Sequence, residues 1–289
     1  MRLLPCLFVT DLHGHVDRYE KLFALIATER PAAVLLGGDL LPRASYYARR
    51  DEHGYEDFAC EYIAPEFDRL RQSLGAEYPA VFLILGNDDP KAQEESFRTA
   101  AEQGLWQYLH GRRSEIGKFP LYGYACVPPT PFTLKDWERY DVSRYVDPGC
   151  VSPEEGKRSV AADPGDVKWG TIQQDLAALV NDDPLDDAIF LAHTPPYDTP
   201  LDRAALDGKQ YEHVPLDVHI GSIAVRRFIE SHQPLLTLHG HVHESTRLTG
   251  EWKVRIGRTL SINGAHDGPE LAVVRFDPES LEDASRELI

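Results

Sequence analysis

Five apolar runs in the chain each stop at residues able to bind a cation. LFVT is followed by Asp11 and His13, VLLGG by Asp39, FLILG by Asn87, IFLA by His193, and LLTLHG by His241 and His243. One such residue means little, since Asp and Asn beside glycine usually make turns or caps, and a lone histidine usually makes an ordinary hydrogen bond. The Asp-x-His and His-x-His spacings carry more, because alternate residues of extended chain point the same way. The coincidence of five strand ends carries most. Three carboxylate or amide oxygens and four imidazoles exceed what one four-coordinate zinc needs and suit two metals sharing a carboxylate. A mixed nitrogen and oxygen set without thiolate selects Mn, Fe, Zn or Co. Paired ions ~3.5–4 Å apart are typical machinery for in-line displacement at phosphorus, where they acidify a water and neutralise phosphoryl oxygens.

The elements that must hold these residues follow an α/β pattern. Short β-branched runs alternate with amphipathic stretches, and open α/β sheets bind ligands at the carboxyl ends of their strands. LLPCLFVT precedes VDRYEKLFALIATER, where Tyr19, Leu22, Phe23, Leu25 and Ile26 recur at helical spacing. AAVLLGG, VFLILG, DAIFLA and PLLTLHG are further strands, with helical patterns at about 60–74, 91–103, 169–181 and 221–232. WKVRIG, RTLSIN and LAVVRF look like short antiparallel strands. Two segments read as irregular insertions that could form lids or binding loops: 41–62, with Tyr46, Tyr47, Tyr55, Phe58 and Tyr62, and 118–167, with VPPTPF, Trp137, Tyr140 and Tyr145.

Composition narrows the partners. With 289 residues, 30 Lys+Arg against 47 Asp+Glu give a net charge of −17. That surface disfavours nucleic acid and anionic membrane, whose binding rests on Lys and Arg. A small anionic substrate needs a local positive feature, and bound cations supply one. No stretch approaches the ~20 apolar residues of a membrane span. The opening MRLLPCLFVTDLHG lacks the apolar length and cleavage site of a signal peptide. Cys6, Cys60, Cys126 and Cys150 are scattered, which suits reduced thiols in a cytoplasm. A homo-oligomer is compatible with the sequence.

The order DLH, GGD, GND, AH and GHVH resembles the calcineurin-like metallophosphoesterase superfamily, whose pattern is D-x-H, G-D, G-N-H-[DE], H and G-H-x-H. HTPPYDTPLD and VPPTPF are similar to Icc-related phosphoesterases of that superfamily. The resemblance implies an αββα sandwich of two mixed sheets flanked by helices, built as a single domain over 1–289 with the two insertions. It implies that Asp11, His13 and His243 bind one metal ion, that Asn87, His193 and His241 bind a second, and that Asp39 bridges them together with a hydroxide. His15, His239 and His266 are left with supporting roles.

One position departs from the pattern. Where the family has His after the motif Asn, this chain has Asp88. In relatives that imidazole does not bind metal; it lies near the phosphate and helps stabilise or protonate the leaving group. An aspartate at its ordinary pKa cannot donate, and it repels a dianionic monoester more than a monoanionic diester. Asp89, matching the family's acidic position, loses the imidazole it would orient and is expected to cap a helix or brace the site. The expected function is a dinuclear metal-dependent phosphodiesterase acting on small phosphodiesters, cyclic nucleotides among them. The alternatives are a phosphatase-fold binding or scaffold protein with little turnover, and a phosphomonoesterase. An amide-cleaving metal hydrolase lacks its usual first-strand HxH here, and a nuclease lacks a basic stripe.

Overall fold

The computed structural model describes residues 4–43 and 54–289. Six strands form the first sheet. β1 (Cys6–Val9), β2 (Ala33–Gly37), β3 (Ala80–Ile84) and β4 (Gln107–Tyr108) run parallel, and two late strands join β1 antiparallel. The second sheet is also six-stranded and begins with β5 (Arg112–Ile116), β6 (Phe119–Tyr124) and β7 (Ile189–Ala192). A small outlying hairpin follows, β8 (Gln210–Tyr211) and β9 (Val214–Pro215). β10 (Leu236–His239), β11 (Lys253–Ile256) and β12 (Thr259–Asn263) complete the second sheet in the order β11-β12-β10-β7-β6-β5. β13 (Ala272–Phe276) and β14 (Ser285–Leu288) return to the first sheet, giving β14-β13-β1-β2-β3-β4.

The sheets stack through β2 against β7 and β3 against β6, so the central strands are covered on both faces. This explains why CLFV, AVLLG and IFLA are continuous apolar runs with every residue buried, rather than alternating ones. The helices are α1 (Val16–Glu29), α2 (Ala64–Leu74), α3 (Glu94–Glu102), α4 (Pro164–Trp169), α5 (Ile172–Val180), α6 (Ile223–His232) and α7 (Ser245–Thr249). α1 buries Tyr19, Leu22, Phe23 and Ile26 and stops at Arg30, whose left-handed backbone turns its N–H onto Ile26 O. Burying a side chain such as Leu22 contributes about 1.5–3 kcal/mol. α5 starts at a reciprocal cap between Thr171 and Gln174, then packs on β6 and α6. The result is the αββα arrangement of two mixed sheets.

Three local expectations change. The tail is not one set of antiparallel pairs: β12 pairs with β11 antiparallel but with β10 in parallel, and β13 crosses to β1 in the other sheet. The stretch from 118 begins with β6, a central strand; FPLYGY looked irregular because of its Pro and Gly. In 41–62, Tyr46 and Tyr47 lie outside the described residues. Phe58 and Tyr62 are buried against Tyr19, with ring centroids 5.7 and 5.9 Å away, and so belong to the core.

Candidate metal centre

Because β1, β2 and β3 are adjacent and parallel, the loops after them are neighbours before any side chain is considered. Backbone bonds lace the first two: Asp11 N–H to Gly38 O at 2.9 Å, and His13 N–H to Asp39 O at 2.8 Å. Asp89 ties in the third. Its carboxylate accepts from Leu40 and Leu41 N–H at 3.1 and 2.8 Å and from Gly86 N–H at 2.9 Å. Asp89 is thus a brace between loops, while Pro90 stands at the start of the helical turn that follows. The parallel pair β7 and β10 ends in the second sheet, with Gly240 N–H on His193 O at 2.9 Å.

Two groups of donors result. Asp11, His13, Asp39 and His243 bring one donor atom each within 4.8 Å of one another, and Asp39, His193 and His241 do the same. Asp39 is common to both. Asn87 follows Gly86, where a Cβ would lie 2.3 Å from Asp39 Oδ1 and 2.7 Å from His193 Nε2. Only glycine lets that backbone pass so close to the second group. Asp11, His13, Asp39 and His241 have φ of 56°, 48°, 52° and 70°. Left-handed backbone is unfavourable for such residues and persists only where the surroundings impose it, most often at functional sites.

Hydrogen bonds aim the side chains. His193 donates Nδ1–H to Gly37 O at 2.7 Å, which leaves its Nε2 facing Asp39 Oδ2 at 3.4 Å. Asp11 accepts from the Thr10 hydroxyl at 2.8 Å and from His241 N–H, and its Oδ1 lies 2.9 Å from His243 Nε2. Burial pushes the His13 and His241 imidazoles down to about 3, so both are neutral. At His193 burial acts in the same direction, but Asp39 outweighs it and raises the group to about 10. Burial also opposes ionisation of Asp11 and Asp39. His243 nevertheless holds Asp11 at about 2, and His193 holds Asp39 well below the usual carboxylate range.

Buried polar atoms seldom lack a partner. Here His13 Nδ1, Asn87 Oδ1 and His193 Nε2 are buried with no hydrogen bond. The neutral imidazoles of His13 and His241, the ionised carboxylates and an orphaned amide oxygen fit borderline divalent ions, and a cation beside Asp39 would displace the proton that Asp39 keeps on His193. The other histidines are otherwise engaged. His239 donates to the carbonyls of Ala192 and Thr194 and accepts from Thr237, and His266 faces Glu270 at 3.0 Å. His15 stands immediately before α1.

Asp88 reaches the same place. Its N–H donates to Asp39 Oδ1 at 2.8 Å, and its carboxylate lies 3.8 Å from His13 Nδ1. Burial and then Asp39 push its carboxyl up to about 6. The segment from 118 supports this loop from behind: Trp137 Nε1–H donates to Asp89 O at 2.8 Å, and Asp136 accepts from Lys91 N–H. Sequence reasoning missed Arg43. Its Nε donates to Asp88 Oδ2 at 2.9 Å and its Nη2 lies 3.2 Å from His13 Nε2. The available signal was one cation four residues past Asp39 in an acidic chain. A cleft of about 730 Å³ opens from His13, His243 and Arg43 toward Arg18 and His266.

Two stacked mixed sheets bring together, at their strand ends, two groups of nitrogen and oxygen donors that could each hold a metal ion. The family model of calcineurin-like phosphoesterases matches residues 4–245, and the chain belongs to that family, whose members are phosphoric ester hydrolases. Among solved structures, one crystal structure aligns at TM-score 0.61 and 18% identity, covering 99% of both chains. TT1561 of Thermus thermophilus aligns at 0.54 and 16% identity, again over 99% of each chain. A dimetal phosphatase from Danio rerio aligns at 0.51 and 14% identity, over 96% of each. At such identities the likeness is one of fold. No curated protein matches the chain. Among the described residues, no helix is long and apolar enough to cross a membrane.

Proposed function

We propose that the chain is a dinuclear metal-dependent phosphodiesterase for small phosphodiesters, with cyclic nucleotides as one class to try. Asp11, His13 and His243 would hold one ion, Asn87, His193 and His241 the other, and Asp39 both. Mn, Fe, Zn and Co all suit these donors. When bound, such ions acidify water and neutralise the oxygens of a phosphoryl group. The chain's own residues fix the rest. Gly37 O holds the His193 tautomer, Asp88 N–H orients Asp39, and Thr10 with His241 N–H orients Asp11.

The observation that carries the diester preference is Asp88: a carboxylate at 3.8 Å from His13 stands where relatives place an imidazole. Above about pH 6 it is ionised, so it offers no ready proton to a leaving group and adds negative charge where a second phosphoryl charge would have to sit. With Mn supplied, kcat/KM should be higher for bis(4-nitrophenyl) phosphate than for 4-nitrophenyl phosphate. Equal or faster monoester cleavage overturns the diester preference. Asp88→His should raise the monoester-to-diester ratio by about tenfold or more, within the range of a positioned general acid.

A further inference from the structure

We infer that Arg18 is a positioning residue for the first ion: it ties the Asp11 loop to the crossover 264–271, which in turn fixes that loop against His241 and His243. The inference rests on the metal assignment proposed above. Ligands of that ion would come from both sheets, Asp11 and His13 after β1 and His243 after β10. Their spacing therefore depends on how the sheets are joined at this end. The second group has its own tie, the bond from His193 after β7 to Gly37 O in β2. Beside the first group the chain itself makes the connection, leaving the second sheet at β12 and entering the first at β13.

Arg18 lines the cleft yet is only 8% exposed. Arginine is rarely buried so far unless it is paired with an acid. Arg18 instead holds two carbonyls, donating from Nη1 to Asp11 O at 2.8 Å and from Nη2 to Gly268 O at 2.5 Å. Asp11 is left-handed, a conformation that persists where neighbours impose it. Its N–H is on Gly38 O and its carbonyl is on Arg18, so both flanking peptides are held. The other end of the crossover is anchored by Asn263, fully buried at the end of β12. Its amide donates to Val242 O, between the two histidines, at 3.1 Å and to Leu201 O at 2.9 Å. Its Oδ1 accepts from Ala265 N–H at 2.8 Å. Contacts thus run from Val242 through Asn263 and the crossover to Gly268, Arg18 and Asp11. Glycine is required at 268, because a Cβ there would collide with the His266–Glu270 pair that closes the turn. Arg247 also reaches the crossover, at Asp267, but these side chains are 58% and 27% exposed, and such pairs hold little. The hold lies with Arg18 and Asn263.

Mn binding to metal-free protein tests this without turnover, by calorimetry and electron paramagnetic resonance. Wild type should take up two ions and show the exchange-coupled signal of a Mn pair. Arg18→Met keeps much of the bulk and removes both donors. It should weaken one ion by about 10- to 100-fold, the range for lost supporting contacts to a ligand, and leave the other little changed. At intermediate Mn the coupled signal should give way to that of a single ion. In crystals at that concentration an anomalous peak should survive only among Asn87, His193 and His241. Arg18→Lys keeps the charge but has one nitrogen for two carbonyls, so it should lie between wild type and Arg18→Met. Arg247→Ala should bind both ions as wild type does. With excess Mn, kcat of Arg18→Met for bis(4-nitrophenyl) phosphate should recover, as expected of a residue that acts through a ligand. Equal weakening of both ions, or wild-type affinity for both, overturns the inference. If Arg18→Met does not fold, Arg18→Lys decides: wild-type binding of both ions in that variant overturns it. A wild type that binds a Mn pair, with variants that follow this pattern, but cleaves no phosphoester overturns the proposed function and leaves the positioning role standing.

Discussion

The two donor groups share Asp39 but are built differently. In the first, His243 contacts Asp11 at 2.9 Å and lies 3.2 Å from His13, whose Nδ1 has no hydrogen bond, and the group opens to the cleft. In the second, His193 is fully buried, its Nε2 has no hydrogen bond, and Asn87 Oδ1 is equally orphaned. Without a cation, the first group would keep the His243–Asp11 contact. The second is left with desolvated atoms and no substitute, at about 1–3 kcal/mol for each such atom. On the proposed function, an ion in the inner group would contribute mainly to stability, and one in the outer group would meet the substrate.

The harshest test of the shared carboxylate is Asp39→Asn. It should lower kcat for phosphoester cleavage by ~10³-fold or more, since two ions lose a common charged ligand worth several kcal/mol, and metal analysis should show both ions weakened. Metal removal comes next. Chelation should lower Tm by roughly 5–10 °C, as expected for loss of ligands held well above their dissociation constants. His193→Ala should erase more of that metal-dependent shift than His243→Ala. Equal losses would break the contrast between the groups.

A histidine outside both groups serves as a control. His110 accepts from Ala125 N–H at 3.0 Å, and burial pushes it down to about 4. Its folded value lies below the unfolded ~6.5, so the unfolded chain takes up a proton first as pH falls. Stability should therefore drop between about pH 6.5 and 4, by on the order of 2–3 kcal/mol, and His110→Gln should flatten that part of the denaturation profile. A smaller effect is expected at Gly86→Ala, where the new methyl meets Asp39 and His193. It should weaken the second ion by roughly 10- to 100-fold, as displaced supporting contacts do, and leave the first group less affected.

Much of this was legible in the sequence because strand ends are marked twice, by the apolar run that stops and by the donor that follows. FLILG before Asn87 and IFLA before His193 are runs of this kind, and their continuous burial in β3 and β7 is what a covered central strand requires. What stayed hidden depends on distance in space. Arg43 is marked only as a lone cation four residues past Asp39, and its contact with Asp88 spans 45 positions. Asp89 reads from the sequence as a cap or a brace, and the choice between them rests on three amide donors that come from two loops. β6 was concealed by Pro120 and Gly123; Gly123 is needed because a Cβ there would meet Leu109 O at 2.6 Å. The left-handed backbone of Asp11, His13, Asp39 and His241 is only weakly signalled by residue type, since Asp and His adopt it more readily than most.

The central claim is that two ions sit one on each side of Asp39. Crystals grown or soaked with Mn, measured at a wavelength where Mn scatters anomalously, test it directly. The account predicts two anomalous peaks about 3.5–4 Å apart, one among Asp11, His13 and His243 and one among Asn87, His193 and His241, each reaching an oxygen of Asp39. A single peak, or peaks that do not share Asp39, would contradict it.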